Sequence, residues 1–204
     1  MGIFDKKAYQ EHVQEIGKRN FEKGKIVLLG DTVIQNLPMD IYLDGEVIYN
    51  NTIINDTTLM LEETLYKRAI KYKPSKCFIS IGSNDIGLNN DSVKSIYNNI
   101  INIIKTLKNR SKETEILIVS AIPVNPCAPQ SDNCVHAKNR DNFDIKMLNY
   151  YLKNFARKNR LSFVDVAKHL KNDYEQLNLE YTTDGFHLNE FGIDIVKECM
   201  KEYV

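Results

Sequence analysis

Two hydrophobic rhythms run through this chain. One is the short unbroken apolar run, and the other places an apolar residue every three or four positions. Ile26-Val27-Leu28-Leu29 is the plainest of the first kind, and such a run predicts a strand buried on both faces. Val47–Tyr49, Cys77–Ile81, Ile116–Val119 and Leu161–Val164 predict four more strands. Between them the helical spacing takes over. Tyr9, Val13 and Ile16 predict a short helix over residues 5–19, leaning on the rest and broken by Gly24. Leu61, Leu65 and Ala69 share one face of a helix that starts after the capping residues Thr57 and Thr58, runs to about Lys71 and is stopped by Pro74. Val93, Ile96, Tyr97, Ile100, Ile103, Ile104 and Leu107 follow the 3.6-residue period closely, with Asp91 as the expected cap. Ile145, Leu148, Leu152 and Phe155 mark another helix, and Val196, Cys199 and Met200 the inner face of a last one from about Glu190. Pro38 predicts irregular structure. Pro123, Pro126 and Pro129 predict a loop that reaches about Arg140 and is long enough to border a site.

Strands that alternate with helices predict a parallel sheet covered on both sides. The expectation is an α/β protein, a three-layer α/β/α sandwich around a mostly parallel five-stranded sheet. It forms one domain over residues 1–204, with 1–25 as an N-terminal helical extension. In such sheets ligands bind beyond the carboxyl ends of the strands. Four polar segments should meet there: Gly30-Asp31-Thr32, the stretch from Asn50 to Thr58, Gly82–Gly87, and Thr183–Asn189.

Composition narrows the class of function. A hydrophobic content of 43% over 204 residues fills one core. Lys+Arg and Asp+Glu are equal at 27 each with no long basic run, which argues against a nucleic-acid backbone or an anionic membrane as partner. The first 25 residues are charged throughout and carry no apolar segment of the signal-peptide kind. No apolar run approaches a membrane span, so no stable membrane insertion is expected. Four scattered cysteines without a Cys-x-x-Cys pair read as free thiols of a cytoplasmic protein. Cys127, Cys134 and His136 have no standard metal-ligand spacing and read as plain loop residues, so neither a metal nor an organic cofactor is expected. His12 and His169, set among charges, read as surface residues.

Asp184 and His187 are the candidate chemistry. At this spacing, in a turn that opens a helix, the carboxylate reaches back to one imidazole nitrogen and leaves the other facing a substrate, as in the base and orienter of a hydrolytic triad. The plain alternative is a helix start with Asp184 as cap and His187 exposed. Thr32 just past the first strand offers a hydroxyl beside the same edge, and Asn84 a side-chain donor. Asp31 and Asp85 read as turn-stabilising residues.

Three blocks in order, each at a strand end, resemble the SGNH hydrolase superfamily, the GDSL-type lipases and acylhydrolases: Gly30-Asp31-Thr32, Gly82-Ser83-Asn84-Asp85 and Asp184-Gly185-Phe186-His187-Leu188. The resemblance covers nearly the whole chain from Ile26. It implies a flavodoxin-like sandwich and hydrolysis of a small-molecule carboxylic ester without metal or cofactor. By the same resemblance Thr32 stands in the nucleophile position, with His187 as base and Asp184 as its orienter. The Thr32 N–H, the Asn55 N–H and the Asn84 side chain stand where the family forms its oxyanion hole. Two blocks depart from the family pattern. Thr32 replaces its serine. In a further block of the family, aligned here on Thr57-Thr58, Asn55 and Thr52 stand where the family has glycines. A catalytically impaired protein that binds a ligand or partner in the former active site is therefore the rival expectation.

Overall fold

The structure, a computed structural model, describes residues 5–31, 37–38, 40–131 and 135–204. Its centre is β1 (Ile26–Gly30), buried at every position as its unbroken apolar run requires. β2 (Asp40–Leu43), β3 (Glu46–Asn50), β4 (Lys76–Ser80), β5 (Glu115–Val119) and β6 (Ser162–Val164) complete one sheet in the order β2-β3-β1-β4-β5-β6. The pairings β1–β3, β1–β4, β4–β5 and β5–β6 are parallel. Helix α2 (Thr58–Arg68) packs on α3 (Val93–Arg110), and α3 on α5 (Asn142–Asn159). The short α6 (Ala167–Leu170) packs on α7 (Glu190–Lys201). The layered, mostly parallel α/β architecture expected from the rhythm of the chain is the one observed.

The strand count is a correction. The sheet has six strands, and β2 pairs antiparallel with β3 in the segment after Pro38 that was expected to be irregular. Pro38 precedes this strand instead of interrupting it. Asp44 and Gly45 then form a two-residue turn with φ of 48° and 84°, the positive angles that a tight hairpin turn needs. On the edge strand Ile41 and Leu43 point into the core, while Tyr42 between them is exposed. Asp-Gly flanked by Ile-Tyr-Leu and Val-Ile-Tyr was the signal for this hairpin. Smaller differences lie at helix ends. Ser92, not Asp91, caps α3. α2 stops at Arg68, and Ile70–Tyr72 continues as a 3-10 turn.

Helix α1 (Lys6–Lys18) starts where Asp5 Oδ1 accepts from the backbone N–H of Lys7 and Ala8 at 2.9 and 3.1 Å. Its face of Tyr9, Val13 and Ile16 joins Phe21, Ile53 and Tyr72 in a small cluster apart from the main core. Tyr72 donates its hydroxyl hydrogen to Ile16 O at 2.6 Å. Ile53 belongs to the loop after β3, so α1 rests against one of the four polar segments at the sheet edge.

β1 lies between β3 and β4. The chain therefore leaves β1 to one side first and returns to the other, which makes β1 the switch point of the sheet. Backbone pairing continues past the strand ends there. Asn51 N–H donates to Leu28 O, Ile53 N–H to Gly30 O and Asp31 N–H to Ser80 O, at 2.9 to 3.1 Å. These bonds align the starts of three polar loops side by side.

Candidate active site

The Asp184–His187 turn is built from its own backbone. Asp184 Oδ1 accepts from the N–H groups of Phe186 and His187, both at 2.9 Å. This orients the carboxylate so that Oδ2 meets His187 Nδ1 at 2.6 Å. Thr182 closes the turn from below: its hydroxyl donates to His187 O at 2.8 Å and accepts from Gly185 N–H at 2.9 Å. Burial alone would raise the pKa of Asp184. The bonds from the His187 ring and from the two backbone N–H groups outweigh it and hold the carboxyl below its ordinary range. The plain alternative, Asp184 as the cap of the last helix, does not describe the turn. Asn189 is the cap of α7 and accepts from Gly192 N–H at 3.1 Å. With Nδ1 engaged, Nε2 is the ring nitrogen left to exchange a proton with a substrate or nucleophile.

Asn84 follows β4 and is fully buried. Its Nδ2 donates to Asp56 O at 3.0 Å, and its Oδ1 accepts from Arg140 Nη2 at 2.6 Å. The first bond uses one of the two hydrogens of the amide. Asn55, next to Asp56, has φ of 59°. It thus takes the left-handed backbone that glycine adopts freely and asparagine tolerates better than most residues. Asn55 and Asn84 are therefore linked through Asp56. Thr32, expected in the nucleophile position and as a backbone donor, lies outside the described residues.

Asp85 has a different task from the local turn expected of it. Both its carboxylate oxygens accept from Thr58 N–H at 3.1 Å, and Thr58 Oγ1 bonds to it as well. It thereby caps the first turn of α2 from across the sheet edge. Burial pushes its pKa up while the Thr58 bonds act the other way. Nothing in this arrangement exposes Asp85 to a substrate.

The proline-rich segment after β5 is packed tightly against the Asp184–His187 turn. Asn125 N–H donates to Gly185 O at 2.8 Å and Gln130 N–H to Thr183 O at 3.1 Å. Within it the short helix α4 (Val135–Lys138) buries Ala137 completely. Two of its residues were not expected to matter. His136 stacks on Phe186 with ring centroids 5.1 Å apart, and meets His187 edge-on at 6.2 Å. Burial first, then Arg140 and His187, lower its proton affinity, so its imidazole stays neutral near His187. Arg140, which seemed only the end of a loop, is 5% exposed and reaches into the site. Cys134, two positions before His136, lies outside the described residues. Cys77, Cys127 and Cys199 are free thiols. Among the described residues no group of three or more His, Cys, Asp and Glu side chains comes together, and no helix is long and apolar enough to cross a membrane.

The model of the GDSL-like Lipase/Acylhydrolase family matches residues 28–195. Several solved structures superpose over most of the chain. One from Streptococcus pneumonia, provisionally assigned as a platelet activating factor, is 28% identical and covers 96% of this chain and 92% of its own, with a TM-score of 0.84. A GDSL-like lipase from Bacteroides thetaiotaomicron is 18% identical with a TM-score of 0.77, covering 96% of each chain. A lipase/acylhydrolase from Enterococcus faecalis is also 18% identical, with a TM-score of 0.68 over 88% of this chain and 94% of its own. A search of the curated proteins gave no match.

Proposed function

Since the chain belongs to the GDSL-like lipase/acylhydrolase family, we propose that it hydrolyses a carboxylic ester with Thr32 as nucleophile, His187 as base and Asp184 as its orienter. The observation that carries this reading is the 2.6 Å bond between Asp184 Oδ2 and His187 Nδ1, in a turn where the other carboxylate oxygen is already taken by backbone N–H groups. That bond fixes the tautomer that leaves Nε2 as a base and stabilises the imidazolium once formed.

In the acylation step His187 Nε2 takes the Thr32 hydroxyl proton as the threonine oxygen attacks the ester carbonyl. The Thr32 N–H, the Asn55 N–H and the Asn84 amide hold the negative oxygen of the tetrahedral intermediate. Collapse breaks the bond to the alcohol, which leaves with the proton from His187. A water, deprotonated by the same nitrogen, then attacks the acyl-threonine, and carboxylic acid and free Thr32 result. The threonine methyl restricts χ1 and occupies space beside the carbonyl. If that crowding costs about 1–3 kcal/mol, the rate falls roughly fivefold to two-hundredfold.

Loss of the family's serine and glycine is the motive for the rival reading, a ligand- or partner-binding protein. The φ of 59° at Asn55 weakens one half of that motive, because a backbone N–H donates whatever the side chain. The distinguishing experiment assays short-chain aryl esters with wild type, Thr32→Ser, Thr32→Ala and His187→Ala. Thr32→Ser is expected to raise the rate, and both alanine variants to abolish it. Background rates in wild type and Thr32→Ser alike would favour the binding protein. Turnover that survives Thr32→Ala would exclude both readings. Sugar O-acetyl esters, lysophospholipids and acyl thioesters form the substrate panel to rank next. The reading includes a cytoplasmic location, supported by the free thiols.

A further inference from the structure

Arg140 touches both halves of the site without belonging to any of the blocks that identify the family. Its Nη2 donates to Asn84 Oδ1 at 2.6 Å. Its Nε donates to Ser83 O and Ser83 Oγ at 3.0 and 2.9 Å, and its Nη1 to His136 O at 2.7 Å. Its Cζ sits 4.2 Å from the centroid of the Phe186 ring, the residue before His187.

These contacts fix the Asn84 amide in one orientation. A guanidinium has only donors, so the atom of Asn84 that faces it is the oxygen. The Asp56 carbonyl has only acceptors, so the atom that faces it is the nitrogen. Turning the amide over would set donor against donor and acceptor against acceptor in a buried place. A cation on Oδ1 also draws charge from the amide and sharpens the Nδ2 hydrogens as donors.

We propose that Arg140 is a positioning residue: it locks and polarises the Asn84 amide as an oxyanion donor and ties it, through Phe186, to the turn that carries His187. The proposal rests on the hydrolase reading for its consequence in rate, but the locking of Asn84 does not.

Gly87 offers a way to disturb the lock without removing the charge. A Cβ there would lie 2.5 Å from both Cζ and Nη1 of Arg140 and 2.8 Å from its Cγ. Alanine at position 87 has to push the guanidinium off its partners. Arg140→Lys and Gly87→Ala therefore disturb the same contacts by different routes. If the buried lysine fails to fold, the alanine variant still carries the test.

Two measurements read the outcome. In nitrogen-15-labelled protein the side-chain amide pair of Asn84 is identified by its absence in Asn84→Asp. In both test variants that pair should move and exchange with solvent about tenfold faster or more, as expected when a locked buried amide is released. With an aryl acetate as substrate, kcat should fall about tenfold to a hundredfold while KM changes little, less than the roughly 10²–10³ lost when an oxyanion donor is removed outright. An Asn84 pair unchanged in a folded variant overturns the proposal, as does a change confined to KM. If wild type hydrolyses no faster than His187→Ala, the hydrolase reading has failed, and the amide signals alone decide the positioning role.

Discussion

At the scale of single residues, the charge on Asp184 makes a prediction with a definite sign. Its folded pKa is depressed from an unfolded value near ~3.9. The stability it contributes is thus fully present above about pH 4 and is lost as pH falls through the lower folded value. Urea unfolding of wild type and Asp184→Asn should differ at pH 6, and the difference should shrink on going to pH 3. A gap that stays the same over that range contradicts the assignment. Activity of the variant should drop on the order of 10⁴-fold at neutral pH, the scale seen when the orienter of a triad loses its charge. Asp184 and His187 were legible in sequence because their contact is local: three positions apart, with the geometry made by the turn itself. Arg140 was not. Its bonds to Ser83 and Asn84 span 57 and 56 positions, and an arginine at the end of a proline-rich loop looks like any solvated charge. His136 was read as a plain loop residue for the same reason, since only folding sets it against Phe186.

At the scale of elements, two glycines with nearly the same backbone angle give a controlled comparison. Gly45, in the β2–β3 hairpin, has φ of 84° and nothing within 4 Å of where a Cβ would stand. Gly185, in the Asp184–His187 turn, has φ of 82°, and its Cβ would strike the Asn125 carbonyl and come within 3.2 Å of Ala128 Cβ. Gly45→Ala should therefore cost only left-handed strain, about 1–2 kcal/mol. Gly185→Ala adds a collision with backbone worth roughly 1–3 kcal/mol more, and it should lower ester hydrolysis because the turn carrying Asp184 and His187 must shift. Urea unfolding and rates for the two variants, side by side, decide it; equal losses of stability would mean that the segment after β5 yields to the new methyl. That segment is also anchored to the rest of the molecule: Ala137 is fully buried and Gln130 N–H bonds to Thr183 O before the Asp184–His187 turn, so deleting residues 130–137 should lower stability as well as alter selectivity. The parallel strands were legible because burial on both faces leaves an unbroken apolar run. The edge strand β2 was overlooked because its alternation is short and its signal, Asp44-Gly45, lies in the turn and not in the strand.

At the scale of the whole molecule, one buried network joins elements far apart in sequence. Arg68, on α2, pairs with Asp56 at 2.5 Å, both side chains fully buried. Arg68 also donates to Asn51 O from Nε and Nη2 at 3.1 and 2.8 Å. Tyr9, on α1, donates to the other Asp56 oxygen at 2.9 Å. Burial first, then the Asp56 charge, raise the pKa of Tyr9 well above its ordinary value, so it stays protonated as the donor. Asp56 in turn sits beside Asn55, and its carbonyl takes the Asn84 amide. The N-terminal helix is thus connected to Asn55 and Asn84 through a single residue, Asp56. Arg68→Met leaves that carboxylate buried without its cation and should cost about 3–5 kcal/mol, whereas adding Asp56→Leu should recover most of the loss, because the cost lies in the stranded charge more than in the missing pair. Tyr9→Phe removes one donor from the same group and should cost about 1–2 kcal/mol. If the network also holds the loop of Asn55 in place, Tyr9→Phe lowers kcat while the fold stays intact. A folded Tyr9→Phe protein with an unchanged rate would confine α1 to a structural role, and an Arg68→Met/Asp56→Leu protein no more stable than Arg68→Met would show that the two charges do not act as a pair.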